Sequence, residues 1–204
     1  MIIFSSDFSI SPTEKRYLKK IVKSFLREKS EIEIFYDMCF CLMTPQTKYE
    51  YNRIAINNLI ENDFYSKNLP LDSIDSLIWK TRFHRIKAQR LILAKAQFNT
   101  IFSIVTDNEL DWFQKRSMLV AGVKGFGMKT SSHFLRNVGA LDLAIIDTHI
   151  LKYMGWQQPK NNKDYVEKEK MFLEESKRRG LTPVELDSYI WKIYSGTQWR
   201  DFIY

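Results

Sequence analysis

Val123-Lys124-Gly125-Phe126-Gly127-Met128-Lys129 is the centre of a longer stretch, Asn108 to Ile150, on whose reading the fold turns. Amphipathic segments lie on both sides of a five-residue turn built around Gly125 and Gly127. Glycine tolerates φ > 0 and close backbone approach, so the pair flanking Phe126 is expected to fold the chain back with its amides outward. A helix that begins beside those amides offers an anion site. Lys129 falls in its first turn, where the helix dipole disfavours a cation. A residue that breaks a local rule without evident compensation marks a place to expect function. Further on, Asp147 closes the apolar run Ala144-Ile145-Ile146 and opens the next helix.

Outward from this centre, helix signals recur and period-2 strands do not, which predicts an all-α fold. Asn108 to Val120 and Met128 to Val138 form the two helices of the motif, with Gly139 as a C-terminal cap. Ser11-Pro12-Thr13-Glu14, Ser30 with Glu33, and Thr182-Pro183-Val184-Glu185 each read as a helix start with a capping box. The apolar set Ile32, Phe35, Met38, Cys39 and Leu42 predicts a central helix, broken at Thr44-Pro45-Gln46-Thr47. Helices are expected over Tyr49 to Ile60, from Asp72 and Asp75 through Trp79, over Ile86 to Phe98, and over Thr100 to Val105. A basic loop, Thr81-Arg82-Phe83-His84-Arg85, precedes the third of these. Asp147 to Met154, Asp164 to Arg179, and a last helix reaching about Tyr194 complete the set.

At 204 residues, 45% hydrophobic and 14% aromatic, the chain can bury one large core or two small ones and is not a disordered sequence. No run approaches 18 apolar residues, so no transmembrane helix is expected, and Met1-Ile2-Ile3-Phe4-Ser5 lacks the pattern of a signal peptide. Cys39 and Cys41, at i and i+2 of a helix, point apart and cannot bridge, which fits a reducing, intracellular setting (cytoplasm or nucleoid). Two thiols cannot hold an iron–sulfur cluster, and the three histidines have no i,i+4 pair, so neither cofactor nor metal is expected. Net charge is +7, from 31 Lys+Arg against 24 Asp+Glu, which favours an anionic partner only weakly.

The residues at the centre each admit a plain reading and a chemical one. Lys129 is either a solvated lysine or an amine whose proton affinity is lowered by burial and the positive helix end, able to form a Schiff base with an electrophilic carbon. Asp147 is an N-cap, and an N-cap carboxylate in a cleft can also stand beside positive charge developing on a sugar. The Gly125/Gly127 turn is a common helix connection or, with Lys124 and Lys129 nearby, a phosphate clamp blind to base sequence. Phe83, Trp191 and Trp199 are ordinary core candidates that could instead stack on an extruded base.

These segments, together with Ser132-His133-Phe134-Leu135-Arg136-Asn137-Val138-Gly139 and Ile145-Ile146-Asp147-Thr148-His149-Ile150, resemble the helix-hairpin-helix base-excision DNA glycosylases. More narrowly, the chain is similar to the type-2 8-oxoguanine DNA glycosylase/AP lyases. Cys39-Phe40-Cys41-Leu42, Arg82-Phe83 with Arg85, Lys87 and Ala88, and Leu186-Asp187 with Tyr189-Ile190-Trp191 extend the likeness. The resemblance implies a helical barrel over about residues 30–140, a second helical unit from residues 1–29 and 141–204, and a cleft between them. It implies Lys129 and Asp147 as catalytic residues, removal of an oxidised purine, a Schiff base and β-elimination. It assigns Gly125, Gly127, Lys124 and Gln46 to DNA binding, with Gln46 filling the gap left by the flipped base. Phe83, Asp187 and Trp191 would form the base pocket. The partner would be double-stranded DNA containing a damaged base, bound by a monomer with no membrane contact.

Type-2 members commonly end in a lysine soon after the tryptophan that Trp191 matches, and that lysine helps read 8-oxoguanine. Here the sequence continues through Trp199-Arg200-Asp201-Phe202-Ile203 to Tyr204, so lesion reading at that end is expected to differ. The same chemistry on another damaged base is the first alternative, and a non-catalytic hairpin DNA-binding module the second. The joint presence of Lys129 and Asp147 counts against the module.

Overall fold

A computed structural model describes residues 10–195; the stretch from Trp199 to Tyr204 and the first residues, Met1 to Ser5, lie outside them. The described residues form eleven α-helices and no strand, as the all-α reading expects. Three starts carry the reciprocal bonds of a capping box: Ser11/Glu14 ahead of α1 (Pro12–Leu26), Ser30/Glu33 ahead of α2 (Glu31–Met43), and Thr182/Glu185 ahead of α11 (Pro183–Ser195). Each satisfies orphan amide donors that a helix leaves at its first turn.

Between them run α3 (Tyr49–Glu61), α4 (Leu71–Leu77), α5 (His84–Ala96), α6 (Phe98–Thr106), α7 (Trp112–Gly122), α8 (Met128–Asn137), α9 (Thr148–Met154) and α10 (Asn162–Arg178). Several limits differ from the sequence reading, each for a local reason. The hairpin's first helix begins at Trp112 rather than Asn108, because Asp111 and Gln114 form another capping box there. α5 starts at His84, immediately after Phe83 takes a left-handed conformation, and not at Ile86. α4 has Pro70 at its N-cap and stops at Leu77, short of Trp79. α10 begins at Asn162 rather than Asp164, because Asn161 caps it by accepting from the Asp164 amide at 2.9 Å.

The chain divides into two compact units, Glu28–Val138 and Met1–Arg27 with Gly139–Tyr204. In Glu28–Val138, α2 is central and packs on α3, α5, α6 and α8. Phe35 is fully buried there, with the rings of Phe64, Tyr65 and Phe98 at 5.6, 5.2 and 5.0 Å. Burial of such a side chain contributes about 1.5–3 kcal/mol. Ile34 joins this core while Ile32 stays exposed, a correction to the apolar set read from sequence. Cys39 and Cys41 are buried free thiols, pushed well above the ordinary thiol range by loss of water. In the other unit α11 packs on α1, α9 and α10. Ile21, Phe25 and Val184 form an apolar cluster with Val22 and Leu141, and Lys192 pairs with Glu14 at 2.8 Å.

The hairpin turn occupies Val123 to Gly127. The Phe126 amide donates to the Val123 carbonyl at 3.0 Å, and Gly125 has φ +104°, the conformation that such a turn asks of its third residue. A Cβ on Gly125 would lie 2.8 Å from Cδ of Arg90 and 3.1 Å from Cδ2 of Leu42. Phe126 is buried edge-on against Phe134, 5.6 Å between centroids, which fastens the turn to α8. Gly127 differs: it has φ −98°, and a Cβ there would meet nothing within 4 Å. Only Gly125 therefore needs to be glycine for the chain to turn, although both were expected to. Gly125→Ala should lose about 1–3 kcal/mol of unfolding free energy, whereas Gly127→Ala should stay within about 0.5 kcal/mol of wild type, as measured by urea denaturation.

Candidate active site

α8 opens with no acidic residue in its first turn and no side-chain cap. The amides of Gly127, Met128, Lys129 and Thr130 are its orphan donors, and among the described residues none has an acceptor. Lys129 stands half-buried beside them and Lys124 is exposed at the turn. This end of the helix thus carries no acidic residue or side-chain cap of its own, and its dipole favours an anion. α7 is tied to α8 from within by the buried Arg116, whose Nη1 donates to Ser132 Oγ at 3.0 Å. One turn beyond Lys129, His133 packs edge-on to Phe40. Burial, then the charges of Arg136 and Lys129, push its imidazole well below the ordinary range, so it is neutral.

Asp147 is the N-cap of α9. Its Oδ1 accepts from the amides of His149 at 2.8 Å and Ile150 at 3.0 Å, while Oδ2 makes no hydrogen bond among the described residues. The cap thus uses one carboxylate oxygen only. The preceding segment is held by two residues that sequence reasoning missed. Tyr165 on α10 accepts at its hydroxyl from the Ile146 amide (3.1 Å) and donates to the Ala144 carbonyl (3.0 Å). Glu169, one turn on and also buried, accepts from the Ala144 amide at 3.0 Å. The i,i+4 spacing of Tyr165 and Glu169 placed both on one helix face, but nothing local said that the face would meet non-helical backbone.

The Thr44–Thr47 loop carries Gln46 in a left-handed conformation, φ 55°, with its side chain exposed. Beneath it lies Lys87, 3% exposed, whose Nζ donates to the carbonyls of Met43 (2.6 Å) and Pro45 (2.8 Å) and to Thr47 Oγ1 (2.6 Å). Phe83, 50% exposed, is also left-handed at φ 59°, with the Arg82 guanidinium 4.9 Å over its ring. Among the described residues, three non-glycine positions have positive φ, and two are these candidates. The third, Asp63, is of a type that tolerates the conformation in turns. Backbone strain at Gln46 and Phe83 is the sort kept at functional positions. His84 pairs with Asp75, which also receives Arg85, and these contacts fix the first turn of α5.

Phe83, Lys87 and Arg90 follow helical spacing along α5, and Arg90 reaches Gly125. One helix of the Glu28–Val138 unit thereby supports Phe83, the Gln46 loop and the glycine turn. Asp187 is buried and Trp191 half-buried on α11. Lys129, Gln46, Phe83, Lys124, Gly125 and Gly127 belong to Glu28–Val138, whereas Asp147, Asp187 and Trp191 belong to the other unit. Lys87, matched in sequence only as part of a motif, is itself held down to about 8 by burial, then by the charge of Arg90. A depressed lysine invites the role of nucleophile, but all three Lys87 protons are committed and the group is enclosed. Lys129 is the accessible amine.

For a buried lysine the sign follows directly. Below about 8 the folded and unfolded chains both carry the proton, and the fold bears the full cost of the buried charge. As pH rises, the folded chain releases that proton while the unfolded chain retains it up to 10.5, so stability increases across this window. Urea unfolding from pH 7 to 10 should show a larger gain in the wild type than in Lys87→Met, which keeps Lys95 and Lys115.

A family model for 8-oxoguanine DNA glycosylase matches residues 16–181. The 8-oxoguanine DNA glycosylase/AP lyase of Methanocaldococcus jannaschii is 36% identical over 183 residues, 85% of this chain and 86% of that one. The crystal structure of the 8-oxoguanine DNA glycosylase of Thermotoga maritima superposes with a TM-score of 0.80 at 26% identity, covering 91% of this chain and 92% of that one. The Methanocaldococcus jannaschii glycosylase/lyase in complex with a 15mer DNA containing 8-oxoguanine gives 0.75 at 31% identity, with 91% and 90% covered.

Proposed function

The chain belongs to the 8-oxoguanine DNA glycosylase family, and on that premise we propose that Lys129 is the nucleophile and Asp147 the assisting carboxylate of the reaction. The protein is a bifunctional DNA glycosylase/AP lyase of base excision repair acting on 8-oxoguanine in DNA. The Lys129 amine, as the free base, attacks C1′ of the damaged nucleotide. The bond from C1′ to the base breaks, and the base leaves with a proton. Asp147 faces the positive charge that develops on the sugar with Oδ2, the oxygen its capping bonds leave free. Opening of the sugar ring gives the Schiff base, and loss of a C2′ proton then expels the 3′ phosphate.

The observation that carries this reading is the α8 N-terminus: a half-buried lysine, orphan amides and no acidic residue to neutralise them. Open space at Gly127 lets a phosphate approach the backbone, where the amides of the turn and Lys124 bind it without reading sequence. Gln46 enters the gap left by the extruded base, Phe83 and Trp191 stack on that base, and Asp187 contacts its edge. The protein acts as a monomer on double-stranded DNA inside the cell. No helix among the described residues is long and apolar enough to cross a membrane.

Incubation with a duplex holding 8-oxoguanine in the presence of borohydride should yield a covalent protein–DNA band, absent in Lys129→Gln. No band with 8-oxoguanine or any other oxidised base would end the reading, and a band with a different lesion alone would transfer the chemistry to that base. Asp147→Asn separates the cap from the charge, because asparagine caps as well as aspartate. This variant should keep stability within about 0.5 kcal/mol and retain DNA binding while slowing base removal about a hundredfold or more.

A further inference from the structure

We propose that Lys87 is a positioning residue for base extrusion: its ammonium holds the Thr44–Thr47 loop so that Gln46 is presented rigidly to the duplex. The inference rests on the reading of Gln46 as the residue that occupies the vacated stack.

An ammonium has three N–H donors, and Lys87 places each on a different acceptor of one chain break. The Met43 carbonyl belongs to the last turn of α2, which has no basic residue of its own. Pro45 O and Thr47 Oγ1 lie on either side of Gln46, so the loop is anchored immediately before and after the residue at its tip. From the opposite side, Asn52 Nδ2 donates to the Phe40 carbonyl (3.0 Å) and to Thr44 Oγ1 (2.9 Å), and the Thr47 amide closes on the Thr44 carbonyl at 3.1 Å. Thr44, Pro45 and Thr47 are thus each held by hydrogen bonds, while the Gln46 side chain makes none among the described residues.

A merely structural closure would not require that combination. A neutral amide donor could also reach such carbonyls without the cost of burying a charge. What the cation adds is over-determination: it keeps a non-glycine residue in the left-handed region, where an isolated loop would relax. Extrusion of a base works against stacking and pairing, so a side chain that fills the gap must hold its position against the duplex. Preorganisation removes the ordering cost that a mobile loop would add to that step. Lys87 itself, 3% exposed, touches neither base nor sugar and acts only through the loop.

The test compares two single-turnover rates for each variant: base removal from duplex with 8-oxoguanine opposite cytosine, and strand cleavage at a preformed abasic site. In the abasic duplex no stacked base has to be extracted. Lys87→Met should slow base removal about 10- to 100-fold, the scale of loss that small misplacements produce, and slow abasic cleavage far less. Gln46→Ala should show the same split, and the double variant should be no slower than the slower single one. Thr47→Val removes one acceptor only, and should shift the ratio the same way by a smaller factor if Lys87→Met does not fold. A split in Gln46→Ala with wild-type rates in Lys87→Met and Thr47→Val would overturn the positioning role and leave the Gln46 reading intact. Wild-type rates in Gln46→Ala would overturn the Gln46 reading, and the positioning role with it. Equal loss in both reactions for Lys87→Met, or rate losses of the two singles that multiply in the double variant, would make Lys87 a support of the fold alone.

Discussion

A helix that stops inside a protein leaves its last carbonyls without intrahelical donors, and in the Glu28–Val138 unit lysine ammoniums bind carbonyls at and just beyond such ends. Lys87 closes the end of α2. Lys95 donates to the carbonyls of Phe64 and Lys67 in the turn after α3, both at 2.6 Å. Lys115 donates to Val105 at the end of α6, at 2.7 Å, with its ammonium over the Trp112 ring. All three are held below the ordinary lysine range, burial being the largest cause. Long side chains from neighbouring helices thus permit short helices with abrupt ends, and abrupt ends place loops close to one another. A positive charge near a helix C-terminus is also favoured by the dipole, so packing and electrostatics agree.

That use of lysine changes how the composition reads. A net charge of +7 suggests a surface prepared for an anion, yet part of the basic inventory is committed to backbone carbonyls. The charge proposed to meet DNA is local instead. It lies at the α8 N-terminus, where orphan amides, Lys124 and Lys129 coincide and the first turn holds no acidic residue. Direction of charge matters more there than its sum, since oriented donors bind phosphate irrespective of base sequence.

The candidate positions share a mechanical logic. Gln46 and Phe83 stand in left-handed backbone, each at the edge of a helix whose interior is well packed. α5 underlies them, with Lys87 turned to one loop and Arg90 to the glycine turn. Asp147 is aimed by its own capping bonds, while Tyr165 and Glu169 hold the non-helical residues before it. In both units the candidate side chain, Gln46 or Asp147, keeps polar atoms free, and backbone near it is held by buried polar groups. Such networks are rigid when fully satisfied, which is what a site that must act on a nucleotide needs.

Sequence alone determined whatever depends on neighbours three or four residues apart. The capping boxes at Ser11, Ser30 and Thr182, the glycine turn at Gly125, the cap at Asp147 and the all-α class were legible because each is a local bargain between backbone and side chain. The resemblance pointed to Lys129 and Asp147 by the same short motifs. Even locally, Asp111 as a cap and the ordinary φ of Gly127 escaped notice, since several residues near each turn could have taken the role. Tertiary structure alone decided the burial of Lys87, the left-handed backbone of Gln46 and Phe83, and the bracket on the segment before Asp147. Lys87 reaches Met43 across 44 residues and Glu169 reaches Ala144 across 25. A side chain's partner at that separation is set by which helix faces meet, and no periodicity within either segment specifies it.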